Sequence, residues 1–441
     1  MMRRITVAGL LGFSLLFAAC DDEGPSDECE AGTGTGTLQL TVTGLPGSLP
    51  ANVQVLGGGG TQIVNGTQTL ELTTGTYTLG PPSVVAAPHP LFRTAYRPDG
   101  SIPPICIEKG KRSEATVTFA PVPSSGKLWT SNGSGGNTAP LLGFSAEVLG
   151  SSGSPAATVA AATGGAEGSA FDREGNLWVV GGTAGDPPVI MYASSTLGSS
   201  GPKTATVTLS GGPLEGGFPR ARALAFDPTG NLWVSVGFNN KIVKYNQAQL
   251  PGGGSPTPPV EFTQDSQGPS GLAFDREGNL WVALSGADKV GRYNASRLSA
   301  SSTAAPDFVI EARTPPPVIG NLSAPTGLAF DASGNLWVSF NGTLARLTPA
   351  DQSGSGTATI TPAVQITLSV SALPDGLVFD ESGNLWFAHS AGKFGRLNAS
   401  QLTSSGTKDP DIVISSPDVG YSGWFSFYPA PANLPLYHRL P

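Results

Sequence analysis

The sequence predicts an all-β protein: a six-bladed β-propeller, with seven blades as the second choice, preceded by a small β-sandwich. Three observations carry that reading. A phrase of the form Phe-Asp-x-x-Gly-Asn-Leu-Trp occurs five times, and the tryptophans of the repeat are spaced 48 to 56 residues apart. A period of that length, with several strands per unit, fits propeller blades better than the short coils of a solenoid. Gly and Pro number 60 and 39 of 441 residues, more than helical domains tolerate but ordinary for a chain with many turns. Apolar residues alternate with Thr and Gln at the period of a half-buried strand.

The N-terminus is read as a separate device. Arg3 and Arg4 precede an apolar stretch of 13 residues, Ile5 to Phe17, too short to span a bilayer but suited to a signal peptide. It ends in Leu16-Phe17-Ala18-Ala19-Cys20, which resembles the lipobox of bacterial lipoproteins. The resemblance implies cleavage after residue 19 and lipid on Cys20. Several acyl chains, at about 0.8 kcal/mol per buried methylene, would hold the protein on a membrane. The remaining two cysteines, Cys29 and Cys106, are expected to pair in the oxidising compartment that export implies.

Residues 20–36 are acidic and then Gly/Thr-rich, the composition of a flexible tether. Residues 37–122 hold strand signals such as TLQLTVTGL, NVQVLG and EATVTFAPV, split by Gly and Pro turns into a small sandwich. The opening GTLQLTVTGLP and the segment Gly75 to Leu79 resemble the PEGA-like and immunoglobulin-like modules of bacterial envelope proteins.

Residues 126–441 are the propeller. Leu-Ala-Phe reads as an innermost strand, whose small central residue suits crowding at the axis. Asp-x-x-Gly-Asn is a tight turn in which Asp accepts backbone hydrogen bonds and Gly takes positive φ. Leu-Trp-Val begins the second strand, and KIVKYN, KVGRYN, LARLTP and KFGRLN are third strands. One Trp and one Phe per unit is a packing pattern. Burying such a side chain removes 150–250 Å² from water, roughly 4–6 kcal/mol gross. The turn carboxylates Asp172, Asp227, Asp275, Asp331 and Asp380 are likewise read as structural. The inner-strand phenylalanines are Phe171, Phe226, Phe274, Phe330, Phe379 and Phe427. The first unit lacks an inner strand and the last lacks outer ones. The C-terminal strand is therefore expected to close onto residues 126–149, removing the exposed edges of an open ring.

The repeated phrase resembles NHL-repeat proteins and the streptogramin (virginiamycin B) lyase-like family. That lyase family places His and Glu on loops of one face with magnesium. Its Trp-Phe-Thr-Glu continuation is replaced here by Trp178-Val-Val-Gly, Trp233-Val-Ser-Val, Trp281-Val-Ala-Leu and Trp337-Val-Ser-Phe, and only His389 directly follows a repeat phrase. A lone His without a Glu is no general acid–base pair. Metal-dependent lactonases, the other enzymatic comparison, need Glu, Asn and Asp converging on the axis. Only these enzyme readings imply a cofactor, Mg²⁺ or Ca²⁺.

The binding reading is preferred: an envelope lipoprotein, lipid-anchored and monomeric, whose propeller face meets a protein, glycan or small ligand. Candidate face residues are Glu167, Arg220, Arg222, Asn239, Asn240, Asp288, Asn341, Asp375, His389, Tyr421 and Trp424. The net charge of −8 without a basic patch argues against nucleic acid.

Overall fold

The computed structural model of the protein describes residues 29, 32–47, 49–85, 91–132, 141–162, 166–181, 188–214, 221–263, 267–312, 324–340, 342–369, 376–389, 392–420, 422–432 and 434–435. Cys20, Arg220, Asn341, Asp375 and Tyr421 lie outside these residues.

From residue 127 onward the described strands form six sheets, each of four antiparallel strands in its inner part. The first combines the two ends of this region: Ser422–Phe427 is its inner strand and pairs with Lys127–Asn132, Leu128 opposite Phe427 and Thr130 opposite Phe425. Leu141–Ser145 and Val159–Ala162 complete it. The second sheet runs Ala166–Phe171, Leu177–Gly181, Val189–Tyr192 and Val207–Leu209. The third runs Leu224–Phe226, Leu232–Val236, Lys241–Tyr245 and Val260–Thr263. The fourth (Pro269–Phe274 to Phe308–Ala312), fifth (Leu328–Phe330 to Val364–Leu368) and sixth (Leu377–Phe379 to Ile412–Ile414) repeat the order. Their inner strands neighbour one another in sequence, and the sixth returns to the first.

The repeat residues weld each sheet to the next. The Trp on a second strand meets the inner-strand Phe of the following sheet edge-on. The ring centres of Trp129–Phe171, Trp178–Phe226, Trp233–Phe274, Trp281–Phe330 and Trp337–Phe379 lie 6.2–6.4 Å apart. Trp386 and Phe427 share one apolar cluster and carry the contact across the closure.

Each turn Asp is spent inside its own sheet. In the third sheet, Asp227 accepts from the backbone N–H groups of Thr229 and Asn231, from the Asn231 amide and from Trp233 Nε1 at 3.1 Å. Asp172, Asp275, Asp331 and Asp380 do the same for their own turns and tryptophans. Asn then passes the bond onward: Asn231 Oδ1 accepts from Gln247 N, fixing the turn that follows the third strand.

An outer device is absent from the sequence reading. The linker between the third and fourth strands of each sheet lies parallel against the outer strand of the preceding sheet. Gly201–Pro202, Gly356–Ile360 and Gly406–Lys408 do so as short strands. Gly254, Ser302 and Gly153 do so as single bridges, the last from the first sheet onto Ile414 of the sixth. All six outer edges are thereby covered, which removes the templates that open edges offer to other chains.

Residues 35–121 form two further sheets, with Leu38, Leu40, Val53, Val55, Val117 and Phe119 in a shared core. The first strand begins at Thr35, two residues inside the stretch expected to be tether. It pairs in parallel with Arg112–Pro121, from which the chain enters the first propeller sheet. Cys29 is bonded to Cys106. Closing a loop of that length restricts the unfolded chain, so a Cys29→Ser/Cys106→Ser double variant should lose about 2–5 kcal/mol. Urea denaturation with a reporter in this domain checks it; an unchanged midpoint would contradict it.

This domain docks where the Asp turns are. The Arg93 guanidinium meets Glu381 at 2.6 Å, both nearly buried, and donates to the Ala430 carbonyl. Arg97 donates to the Arg173 carbonyl and to the Tyr428 hydroxyl, which itself donates to that carbonyl. Burial pushes the Tyr428 phenol up to about 12 from its ordinary 10.0. Because the folded value is the higher, this contribution is whole below pH 10 and fades as the pH rises through 12. Tyr428→Phe should therefore lose less stability than the wild type over that alkaline range. Tm measured in a pH series reads it, and parallel slopes would sink it.

Candidate functional site

The inner strands enclose a narrow axial channel holding about 120 Å³ of space. Its wall is built from equivalent residues of every sheet: Ala170, Ala225, Ala273, Ala329, Val378 and Ser426 at the central position of each strand. Small residues are required there. A Cβ at Gly271, one position before Leu272, would lie 2.2 Å from the Thr326 carbonyl oxygen of the next sheet. Gly168, Gly327 and Gly376 occupy the same position, with Ala223 in the third sheet.

In the first sheet that position belongs to Trp424. Its side chain is half-buried and packs with the cluster of Ala223, Ala225 and Leu272 contributed by the third and fourth sheets. Trp424, a candidate for the propeller face, lines the channel. Leu434 and Pro435 line the channel as well, entering from the side of the Asp turns. Ser169 and Ser426 share a 2.6 Å hydrogen bond within it.

The mouth opposite the turns is set by the residues one step further out: Glu167, Arg222, Ser270, Thr326 and Gly423. Glu167 and Arg222, both half-buried, come from adjacent inner strands, where a Cβ at Gly168 would lie 2.4 Å from the Arg222 carbonyl oxygen. Ser131 Oγ donates to the Glu167 carbonyl and accepts from Trp424 N. Ser235 and Ser339 accept from the equivalent backbone N–H groups of Ala223 and Gly327. The sequence reading passed over these serines, although all three stand two residues after a repeat Trp.

Other candidate residues are engaged in holding the loops. Asn240 and Asp288 sit in left-handed backbone at φ 52° and 56°. Asn240 Oδ1 accepts from Gly268 N and Asp288 Oδ1 from Ala324 N, each pinning the start of the next inner strand. Asn239 donates to the Pro213 carbonyl, 3.1 Å away, clamping the segment that leads into its own sheet. Their polarity suggested a ligand; their work is to tie the loop between second and third strands to neighbouring chain. His389 ends the second strand of the sixth sheet.

Of the predicted residues, Glu167 and Arg222 stand at equivalent positions of adjacent inner strands, and the Arg222 side chain lies beside Gly237 of its own sheet. Among the described residues, no three His, Cys, Asp or Glu side chains gather as a metal site would require. The displaced pKa values lie elsewhere. Burial raises Asp380 in its turn and the phenols Tyr245 and Tyr293 at the ends of third strands, and it lowers Lys127 beside the first domain. The described residues at this end include half-buried Glu167, Arg222 and Thr326, and Trp424 lines the adjoining channel.

No family model matches the chain, and no curated protein matches it. Among solved structures it is similar to a streptogramin B lyase (TM-score 0.38, 16% identity, covering 62% of this chain and 71% of that one). It is similar to virginiamycin B lyase from Staphylococcus aureus (0.36, 15%, 62% and 71%). A protein of unknown function from Bacteroides caccae is also similar (0.45, 11%, 68% and 98%). No described helix is long and apolar enough to cross a membrane. By its own sheets and their round of inner strands, the chain is an all-β protein with a propeller-like fold.

Proposed function

We propose that this is an envelope lipoprotein, anchored through Cys20, that stands a propeller off the membrane and offers its mouth face to a protein, glycan or small ligand. The observation that carries the reading is the parallel pairing of Thr37–Thr43 with Arg112–Thr118. Parallel strands start at the same end, so the N-terminal tether and the exit into the propeller lie at opposite ends of the first domain. A strand of the length of Arg112–Pro121 spans about 33 Å at 3.3 Å per residue. The domain docks on the side of the Asp turns, so the mouth with Glu167, Arg222 and Trp424 is on the far side of the propeller from the first domain. The protein acts as a monomer in this reading and meets no nucleic acid.

Fractionation of cells fed a labelled fatty acid tests the anchor. The wild type is expected in the membrane fraction and labelled; Cys20→Ser is expected unlabelled and released by washing. A wild type that is soluble and unlabelled would overturn the proposal.

A further inference from the structure

The third strands of the third to sixth sheets carry a cation that neither the mouth nor the ring closure uses. Lys244 Nζ lies 5.7 Å from the Trp233 ring centre, Arg292 5.7 Å from Trp281, Arg346 6.0 Å from Trp337 and Arg396 5.6 Å from Trp386. Three of these heads also reach the next sheet, always at the residue five beyond the end of its third strand. Lys244 donates to the Leu298 carbonyl (3.2 Å), Arg292 to Gln352 (2.6 Å) and Arg346 to Leu402 (3.4 Å). The chain therefore shows three times what the space between two sheets accepts: a cation on an aliphatic stem, with an indole beneath and a carbonyl ahead.

Between the second and third sheets the same frame recurs with one change. Trp178 supplies the indole and Leu250 stands at the carbonyl position, but the third strand brings Met191 where those of the third to sixth sheets bring Lys or Arg; the first sheet has Gly143 there. A groove of about 450 Å³ lies there, lined by Asp172, Glu174, Trp178, Met191, Leu250 and Pro251 among others. Its charged residues are both acidic. Asp172 is occupied by Trp178 and Asn176. Glu174 is exposed at the rim, and among the described residues its carboxylate forms no ion pair. The sister groove between the fourth and fifth sheets, about 390 Å³, has Asp275 and Glu277 balanced by Arg276 and Arg292.

We propose that the groove between the second and third sheets is a docking site for a Lys or Arg side chain of a partner protein. The stem lies along Met191 and Pro251, whose soft apolar surfaces adapt to it. The charged head meets the Leu250 carbonyl and Glu174, supplying from outside the group that the neighbouring sheets carry within. The site is on the side of the Asp turns, remote from the mouth, and stands whether or not the mouth binds a ligand.

The mature chain titrated with N-acetyl-arginine methylamide, followed by NMR, tests it. Saturable binding of one equivalent is expected, with a dissociation constant on the order of 1 mM. Met191→Arg fills the site from within and should weaken binding at least about tenfold. Exposed Glu174→Gln, which leaves the core untouched, should weaken it by about threefold to tenfold. Arg292→Met should open the sister groove and add a second equivalent. A peptide with one internal arginine should bind at least as tightly as the small amide. No saturation by the wild type, undiminished binding to both Met191→Arg and Glu174→Gln, or binding of the amide but not the peptide would overturn the proposal.

Discussion

Removing residues 422–441 is expected to abolish cooperative unfolding and leave an aggregating protein. The deletion strips the inner strand from the first sheet, exposing the hydrogen-bonding edge of Lys127–Asn132. It also removes Phe425, Phe427 and Tyr428, all buried, and Leu434 from the sixth sheet's core. Each aromatic ring contributes roughly 4–6 kcal/mol gross, against a net stability of about 5–15 kcal/mol for a folded protein. Calorimetry with a dye for exposed apolar surface reads the outcome. A sharp transition with the wild-type midpoint would mean that the ends do not close the ring.

The second large effect is expected at a single turn carboxylate. Asp227→Ala leaves Trp233 Nε1, the Asn231 amide and two backbone N–H groups without their acceptor, three of these bonds being 3.0 Å or shorter. The Trp233 donor is fully buried, and water cannot replace the carboxylate there. A loss of about 3–5 kcal/mol follows, since hydrogen bonds to a charged acceptor are worth about 1.5–3 kcal/mol each and do not add fully. Trp233→Phe removes one donor and keeps most of the ring, so it should cost less than Asp227→Ala. Urea midpoints for both variants and the double variant decide it. If Asp227→Ala falls within 0.5 kcal/mol of the wild type, roughly the range of a neutral surface change, the turn network is not what holds the sheet.

The repeat made the propeller legible because its residues do the same local work in every sheet. Phe, Asp, Gly, Asn and Trp are placed by bonds within one turn and by one neighbouring strand, so their spacing alone announces the architecture. The closure of the C-terminal strand onto residues 127–132 followed from the missing inner strand of the first unit. The parallel clasps at the outer edges were hidden, because segments such as Gly201–Pro202 are too short and polar to show a period. The docking residues Leu91 to Arg97 carry no pattern either; their partners lie hundreds of residues away, as with Arg93 and Glu381. The stacked cations were visible as a column of Lys and Arg two residues before the Asn or Thr that follows four of the third strands. They passed unread as ordinary solvated charges.

Legibility at the mouth was mixed for a physical reason. Glu167 and Arg222 were singled out because residues at the entrance of an inner strand border the channel. Asn240 and Asp288 met the same criterion of polar loop residues, yet left-handed backbone also selects Asn and Asp, and the structure uses them for that. Trp424 fills a repeat position that is elsewhere Gly or Ala, so its large side chain lines the channel.

The closed ring is tested most directly by disulfide trapping between Thr130→Cys and Phe425→Cys, paired residues on strands from opposite ends of the propeller region. With the native cysteines replaced, mild oxidation should cross-link the pair completely within one chain, while Thr130→Cys with Phe379→Cys should not react. A first pair that stays reduced, or that links only between molecules, would contradict the closure of these sheets into one round.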